Sequence, residues 1–279
     1  MKLLLVDGSM LYFQMYFGLP ARIPGKDGRP VHGVLGFVGA LIKIIKFTLP
    51  THAAVLFDGE HELPRTGIDP AYKANRAGDA RLTGDENPFS QLPGVYAALE
   101  RMGVARAEIM DAEADDVIAA YAIAYGNAMP IVIASLDSDF FQFINENVSV
   151  LRYRGDNTYL CGSAYVQGRF GIPPRLYADF KSLVGDASDN IKGADKIGPK
   201  TAAALLNRFE SLEAVIERAD EITRPSVRES VVRNAGRLRN NYRLIQLDGA
   251  AEMPFAADEL RYGYNGVTTT EVLTEIGVM

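Results

Sequence analysis

Three short apolar runs that each end in aspartate limit what this chain can fold into more than any other feature. Lys2–Val6 runs into Asp7-Gly8, His52–Phe57 into Asp58-Gly59, and Ile131–Leu136 into Asp137-Ser138-Asp139. Runs of this length without alternation read as strands buried on both faces, as in a parallel sheet. Segments of helical spacing separate them: Met10–Phe17, Gly33–Phe47 and Gln91–Met102. A further short strand, Ala105–Met110, and an alternating stretch, Val148–Leu160, with a turn at Arg154-Gly155-Asp156-Asn157, complete a βαβ pattern closed by a hairpin. Parallel strands bring their carboxyl ends to one edge, where open α/β sheets hold ligands. One aspartate after a strand is ordinarily a turn residue or a helix cap. Three delivered to the same edge are a candidate site.

The segment Asp111-Ala112-Glu113-Ala114-Asp115-Asp116 adds four carboxylates just before the apolar run Val117 to Ala124. The spacing predicts a helix over Ala112–Ala124 with Asp111 as N-cap, and with Glu113 and Asp116 on one face. A helix dipole favours acids in its first turn by less than about 1 kcal/mol each. That is too little to account for the crowding. Packed carboxylates repel and raise one another's pKa unless a cation sits between them.

Two other segments carry positive charge in patterns that fit phosphate. Glu60 to Pro93 is polar and proline-punctuated, and contains Tyr72-Lys73-Ala74-Asn75-Arg76, flanked by Arg65 and Arg81. Such an insertion in a compact domain reads as a functional lid or a solvated loop. Beyond residue 163 the chain turns to short helices, Ser163–Phe170 and Pro174–Val184 first. Gly185-Asp186-Ala187-Ser188-Asp189-Asn190 adds two more acids in a turn. Ile197-Gly198-Pro199-Lys200-Thr201-Ala202 then opens a helix, Pro199–Arg208, with proline at N1. Helix, glycine-bearing hairpin, helix leaves backbone N–H groups that can take a phosphate beside Lys200. Ser211–Arg218, Ser226–Ala235 and Arg237–Leu247 read as further helices, and Thr269–Ile276 as a weak one.

Composition excludes several functions. One cysteine, Cys161, forbids an internal disulfide and fits a reducing cytoplasm; with three histidines it cannot build a common zinc site. No apolar run is long enough for a membrane span, and the N-terminus turns acidic too soon for a signal peptide. The net charge of −6 argues against a nucleic-acid partner unless the acids are concentrated in one place. Nine are candidates for that place: Asp7, Asp58, Glu113, Asp115, Asp116, Asp137, Asp139, Asp186 and Asp189. Without them the remaining surface is slightly positive. An all-oxygen set selects Mg2+ or Mn2+, and two such ions about 4 Å apart suit in-line attack of water on a phosphodiester. Lys73 and Arg76 would add cationic stabilisation, and Tyr72 could stack on an unpaired base. No Ser-His-Asp set, Walker lysine loop or GxGxxG after a strand is present. An aspartyl phosphatase would need an acid two residues after Asp7, where Ser9 stands.

The ordered set Asp7, Phe57-Asp58, Tyr72–Arg76, Glu113–Asp116, Asp137–Asp139, Gly185–Asn190 and Ile197–Ala202 resembles the 5′-nuclease, or flap endonuclease, superfamily. The resemblance implies an α/β fold: a PIN-like, mostly parallel sheet flanked by helices over residues 1–162, with a helical arch at about 60–93. Residues 163–279 would be a helical region with a helix–hairpin–helix. It implies hydrolysis of DNA near 5′ flaps or free 5′ ends, as a 5′-3′ exonuclease and flap endonuclease of replication or repair, monomeric and cytoplasmic. By position, Glu113, Asp115, Asp116 and Asp137 would hold a first ion, Asp7 and Asp58 close by, and Asp139, Asp186 and Asp189 a second. Lys73, Arg76 and Tyr72 would stand at the arch base. Gly198, Lys200, Thr201 and Lys196 would hold duplex DNA, with Arg65 and Arg81 on the arch. Relatives bind K+ through hairpin carbonyls; the positions here are Leu183, Val184, Lys192, Ala194 and Ile197. Lys196 replaces a family glycine and is strained by roughly 1 kcal/mol if that position needs a positive φ. The competing readings are a PIN-like ribonuclease and a non-catalytic binder of branched DNA.

Overall fold

The computed structural model describes residues 1–19, 23–59, 67, 69, 72, 73 and 87–279. The expected arch therefore falls largely outside the described residues, and Arg65, Arg76 and Arg81 with it. One sheet runs in the order β3-β2-β1-β4-β5-β6. Its strands are β1 (Leu3–Asp7), β2 (His52–Asp58), β3 (Ala105–Ile109), β4 (Ile131–Ala134), β5 (Val148–Arg152) and β6 (Tyr159–Cys161). Pairing is parallel from β3 through β5, and β6 returns antiparallel after the Arg154–Asn157 turn. Asp7 pairs with Leu56, and Val6 with Ala134. The register thus places Asp7, Asp58 and the loop carrying Asp137 on one edge.

Both faces of the central strands are covered, which is why their sequences do not alternate. Leu4, Val6, Ala53 and Val55 pack under α1 (Gly8–Gly18), α2 (His32–Thr48), α3 (Leu92–Met102) and α10 (Thr269–Glu275). Leu3, Leu5, Ala54 and Leu56 pack under α4 (Ala114–Tyr125). That second core continues without interruption into α5 (Ser163–Phe170), α6 (Tyr177–Val184), α7 (Pro199–Phe209), α8 (Leu212–Glu217) and α9 (Pro225–Ile245). A two-stranded hairpin, β7 (Gly185–Asp186) and β8 (Ile191–Lys192), joins α6 to α7. Gly8 lets α1 leave β1 at close quarters: a Cβ there would lie 2.8 Å from the Phe57 and Val55 side chains.

Two helices differ from expectation. α4 starts at Ala114 with Glu113, not Asp111, at the N-cap, and Glu113 makes no side-chain cap. The cap comes from another element: Asp58 Oδ1 accepts the Ala114 N–H at 2.9 Å. The two helices expected at Ser226–Ala235 and Arg237–Leu247 are the single helix α9. Gly236 does not break it. An interior glycine costs about 1 kcal/mol, and Gly236 stands on the exposed side while Val231, Asn234, Leu238 and Asn241 are buried.

Candidate metal centre

Each acid at the sheet edge is held by the backbone around it. Asp7 ends β1 and caps α1, with Oδ1 accepting the Met10 N–H at 2.9 Å. Its Oδ2 accepts the Ser135 hydroxyl at 2.8 Å, and Ser135 Oγ in turn accepts the Asp137 N–H at 2.9 Å. Asp137 Oδ1 then accepts the Asp139 N–H at 2.8 Å. Asp58 is fixed from both sides, its N–H on Ser9 Oγ at 2.9 Å and its Oδ1 on the start of α4. Ser9 and Ser135 therefore orient acids without carrying charge. Sequence reasoning missed both, since a serine after a strand gives no signal of its own.

Asp7, Asp58, Asp115 and Asp137 lie near enough for their charges to act on Asp7 and Asp115. Burial pushes the Asp7 carboxyl up to about 7, and Asp58 and Asp137 add to the shift against the hydrogen bonds from Met10 and Ser135. Asp115 as a whole residue is half-buried, yet its carboxyl is raised well above the ordinary range, first by desolvation and then by Asp7, Asp137 and Asp58. Asp7 and Asp115 thus resist ionisation, and a cation between such crowded carboxylates would relieve them.

Asp139, Asp186 and Asp189 form a second group. They offer one oxygen each, all within 4.8 Å of one another. Lys181 of α6 reaches into this group, and its ammonium contacts both Asp139 and Asp186. Burial, then Asp137, raises Asp139 to about 7 against the pull of Lys181. Burial also works to raise Asp186, but Lys181 and Ser188 bring it below its ordinary value. Lys181 is 7% exposed and its own pKa is raised by Asp139, Asp137 and Asp186, which overcome its desolvation. Nothing in the sequence pattern of Pro174–Val184 singles Lys181 out.

Glu113 and Asp116 stand at the head of α4. Glu113 is buried, and its Oε2 accepts the Lys73 ammonium at 2.7 Å. Lys73 has φ +54, and its N–H donates to the Asp189 carbonyl at 3.1 Å, so it ties the second acid group to α4. Desolvation opposes the charge on Lys73; Tyr72, Glu113 and Asp115 outweigh it and hold the pKa up. Tyr72 is a correction. It was expected to stack on a base, but it is 5% exposed and packs with Ala178, Ile191, Leu244 and Ile245. A buried ring anchors the neighbouring lysine and presents no face to a ligand. Exposed aromatic surface lies elsewhere: Phe13, Phe89 and Tyr96 line a cavity of about 450 Å3 together with Ser9 and Asp58, and Phe89 is 47% exposed.

The hairpin expected to bind duplex joins α6 to α7. Gly185 has φ +85 and stacks against Gly193, where a Cβ would meet the Val184 carbonyl at 2.4 Å. Lys196 has φ +66, the conformation that the family glycine would adopt freely. Gly198, Lys200 and Lys196 are exposed and Thr201 half-buried around the start of α7. Of the carbonyls expected to hold K+, Leu183 accepts from Ala194 at 2.9 Å, Ala194 from Ile197 at 3.3 Å, and Lys192 from the Asn241 side chain at 3.0 Å.

Residues 2–171 match the family model for the 5′-3′ exonuclease N-terminal resolvase-like domain, and residues 172–266 that for the 5′-3′ exonuclease C-terminal SAM fold. A 5′-3′ exonuclease of Streptomyces coelicolor is 34% identical over 230 residues, covering 78% of this chain and 75% of the relative. DNA polymerase I of Rhizobium leguminosarum is 33% identical over 253 residues, covering 88% of this chain but 24% of the relative's length. The chain thus spans about a quarter of that polymerase. Among solved structures, the bacteriophage T5 flap endonuclease in a complex with DNA and metal ions superposes with a TM-score of 0.72 at 21% identity, covering 99% of each chain. Among the described residues, no helix is long and apolar enough to cross a membrane.

Proposed function

Because this chain belongs to the 5′-3′ exonuclease family, we propose that it hydrolyses phosphodiester bonds of DNA near a flapped or free 5′ end, as a monomer in the cell interior. One observation carries the reading: burial and neighbouring carboxylates from the ends of β2 and β4 penalise the charge on Asp7 of β1 and Asp115 of α4, beside a second cluster of three acids. The donor set is all oxygen and fits Mg2+ or Mn2+. Bound there, two divalent ions would supply an activated water and neutralise charge developing on the phosphate.

The protein's own groups do the rest. Asp7, Asp58, Glu113, Asp115, Asp116 and Asp137 are the proposed holders of one ion, and Asp139, Asp186 and Asp189 of the other. Ser135 and Ser9 keep Asp7, Asp137 and Asp58 in place. An ammonium has three donors, so Lys73 can keep Glu113 and still meet a phosphate oxygen. Arg76, three residues on, is proposed to join it. Gly198, Lys200, Thr201 and Lys196 are proposed to grip a phosphate of the duplex. An unpaired base would stack in the cleft of Phe89 and Phe13, in place of the buried Tyr72.

The test is cleavage of labelled 5′-flap DNA in a titration of Mg2+ and Mn2+, with unstructured RNA and single-stranded DNA as controls. Cutting should require the metal and be lost in Asp115→Asn and Asp137→Asn. Cleavage that survives excess EDTA rejects the proposal. Equal turnover of unstructured RNA would point to a ribonuclease, and tight flap binding without cleavage in Mn2+ to a binding protein.

A further inference from the structure

One face of α9 carries a stripe of buried and half-buried donors aimed at the hairpin between α6 and α7. Ser230 Oγ donates to the Asp195 carbonyl, and Arg237 Nη2 to the Gly193 carbonyl at 2.9 Å. Asn241 Nδ2 donates to the Lys192 carbonyl at 3.0 Å and also to Ser182 at 3.0 Å. Positions 230, 237 and 241 lie on one side of a helix. Asn234, between them, ties back to the Ser230 carbonyl at 2.8 Å. Three consecutive-loop carbonyls, at Lys192, Gly193 and Asp195, thus accept from a single helix. The partners of Leu183 and Ala194 come from within the hairpin.

The residues do not fit a seat for a monovalent cation. A carbonyl has a second lone pair, so one hydrogen bond does not by itself bar an ion. The guanidinium does: Arg237 is permanently charged and holds the Gly193 carbonyl, which stands in the chain between Lys192 and Ala194, so a second cation on those two carbonyls would be repelled. We propose that α9 replaces K+ in shaping this hairpin. Arg237 supplies a fixed positive charge at the Gly193 carbonyl, Asn241 and Ser230 fix the backbone on either side, and duplex binding has no specific need for K+. The statement about DNA rests on the duplex-binding reading above; the statement about the hairpin does not.

The experiment therefore starts without DNA. Amide hydrogen exchange of residues 183–198 is compared in KCl, NaCl and choline chloride at equal ionic strength. Protection should agree within about twofold across the three salts, and protection at least about fivefold higher in KCl would overturn the proposal. Arg237→Met should speed exchange of the hairpin in choline chloride, with KCl restoring part of the protection. Unchanged exchange in the variant would overturn the role of Arg237. Should the variant not fold, the comparison of salts in the natural chain still decides. Duplex affinity, read by anisotropy in the same salts, should also agree within about twofold. No affinity in any salt, with exchange indifferent to K+, would sink the nuclease reading and leave this one standing.

Discussion

Lys73 and Glu113, forty residues apart, form a buried ion pair with Nζ 2.7 Å from Oε2. The pair joins the base of the polar insertion to the head of α4, and the Lys73 backbone joins both to Asp189. Breaking one side of a buried pair leaves a charge without compensation, a cost of about 3–5 kcal/mol. Lys73→Ala should therefore lower the melting temperature and abolish cutting. Lys73→Ala combined with Glu113→Gln should recover most of the stability, since no buried charge is left over, but not the activity. Thermal denaturation and flap cleavage on the three variants form the cycle. A double variant as unstable as the single would mean that Lys73 acts through its backbone and packing.

Metal-free stability should fall as pH rises. Asp7 and Asp139 are each pushed up to about 7, and Asp115 moves the same way. An unfolded carboxyl titrates near its ordinary value of about 3.9. Between about pH 4 and 7 the folded chain holds more protons than the unfolded one, so the free energy of unfolding decreases with pH. Asp186, shifted down, works in the opposite sense only below that window. In EDTA, the melting temperature should drop by about 4–8 °C from pH 5 to pH 8, equivalent to about 2 kcal/mol. Saturating Mg2+ should remove most of the drop, because it binds the ionised form. A flat or rising profile in EDTA would contradict the crowding on which the proposed metal centre depends.

Lys181 holds the second acid group together in the absence of an ion. Lys181→Met keeps the length of the side chain and removes its charge. The buried Asp139 and half-buried Asp186 then repel with nothing between them. The variant should melt several degrees lower without metal, and each increment of Mg2+ or Mn2+ should raise its melting temperature more than that of the natural chain. Equal metal responses in the two proteins would show that the ammonium is no substitute for a cation.

The unequal legibility of these residues has physical causes. Asp7, Asp58 and Asp137 could be found because an apolar run followed by an acid fixes both strand and edge, and the sheet register then brings them together. Lys181 could not, since its significance lies in partners whose approach only the folded core determines. Tyr72 was misread because a tyrosine among lysine, arginine and asparagine has the composition of an exposed segment, while its burial depends on Leu244 and Ile245, distant in sequence. The sequence pattern gives Ser226–Ala235 and Arg237–Leu247 as separate helices, and tertiary packing of α9 joins them through Gly236. The cap on α4 was assigned locally to Asp111, whereas Asp58 supplies it from β2.

Lys196 sets strain against charge, and two substitutions separate them. With φ +66, a lysine carries roughly 1 kcal/mol of left-handed strain that glycine would not. Glycine also gives the unfolded chain more freedom, by about 0.4–1 kcal/mol, so Lys196→Gly should be neutral or slightly stabilising. Lys196→Ala keeps the strain. Both variants lose an exposed cation beside the start of α7. If Lys196 meets a duplex phosphate, both should weaken duplex binding and lower the slope of log K against log salt concentration by about 1. Melting curves and salt-dependent anisotropy measure the two effects independently. Lys196→Gly melting below Lys196→Ala would refute the strain, and an unchanged salt slope in both would remove Lys196 from the DNA interface while leaving Lys200 and the N–H groups of α7 to hold the phosphate.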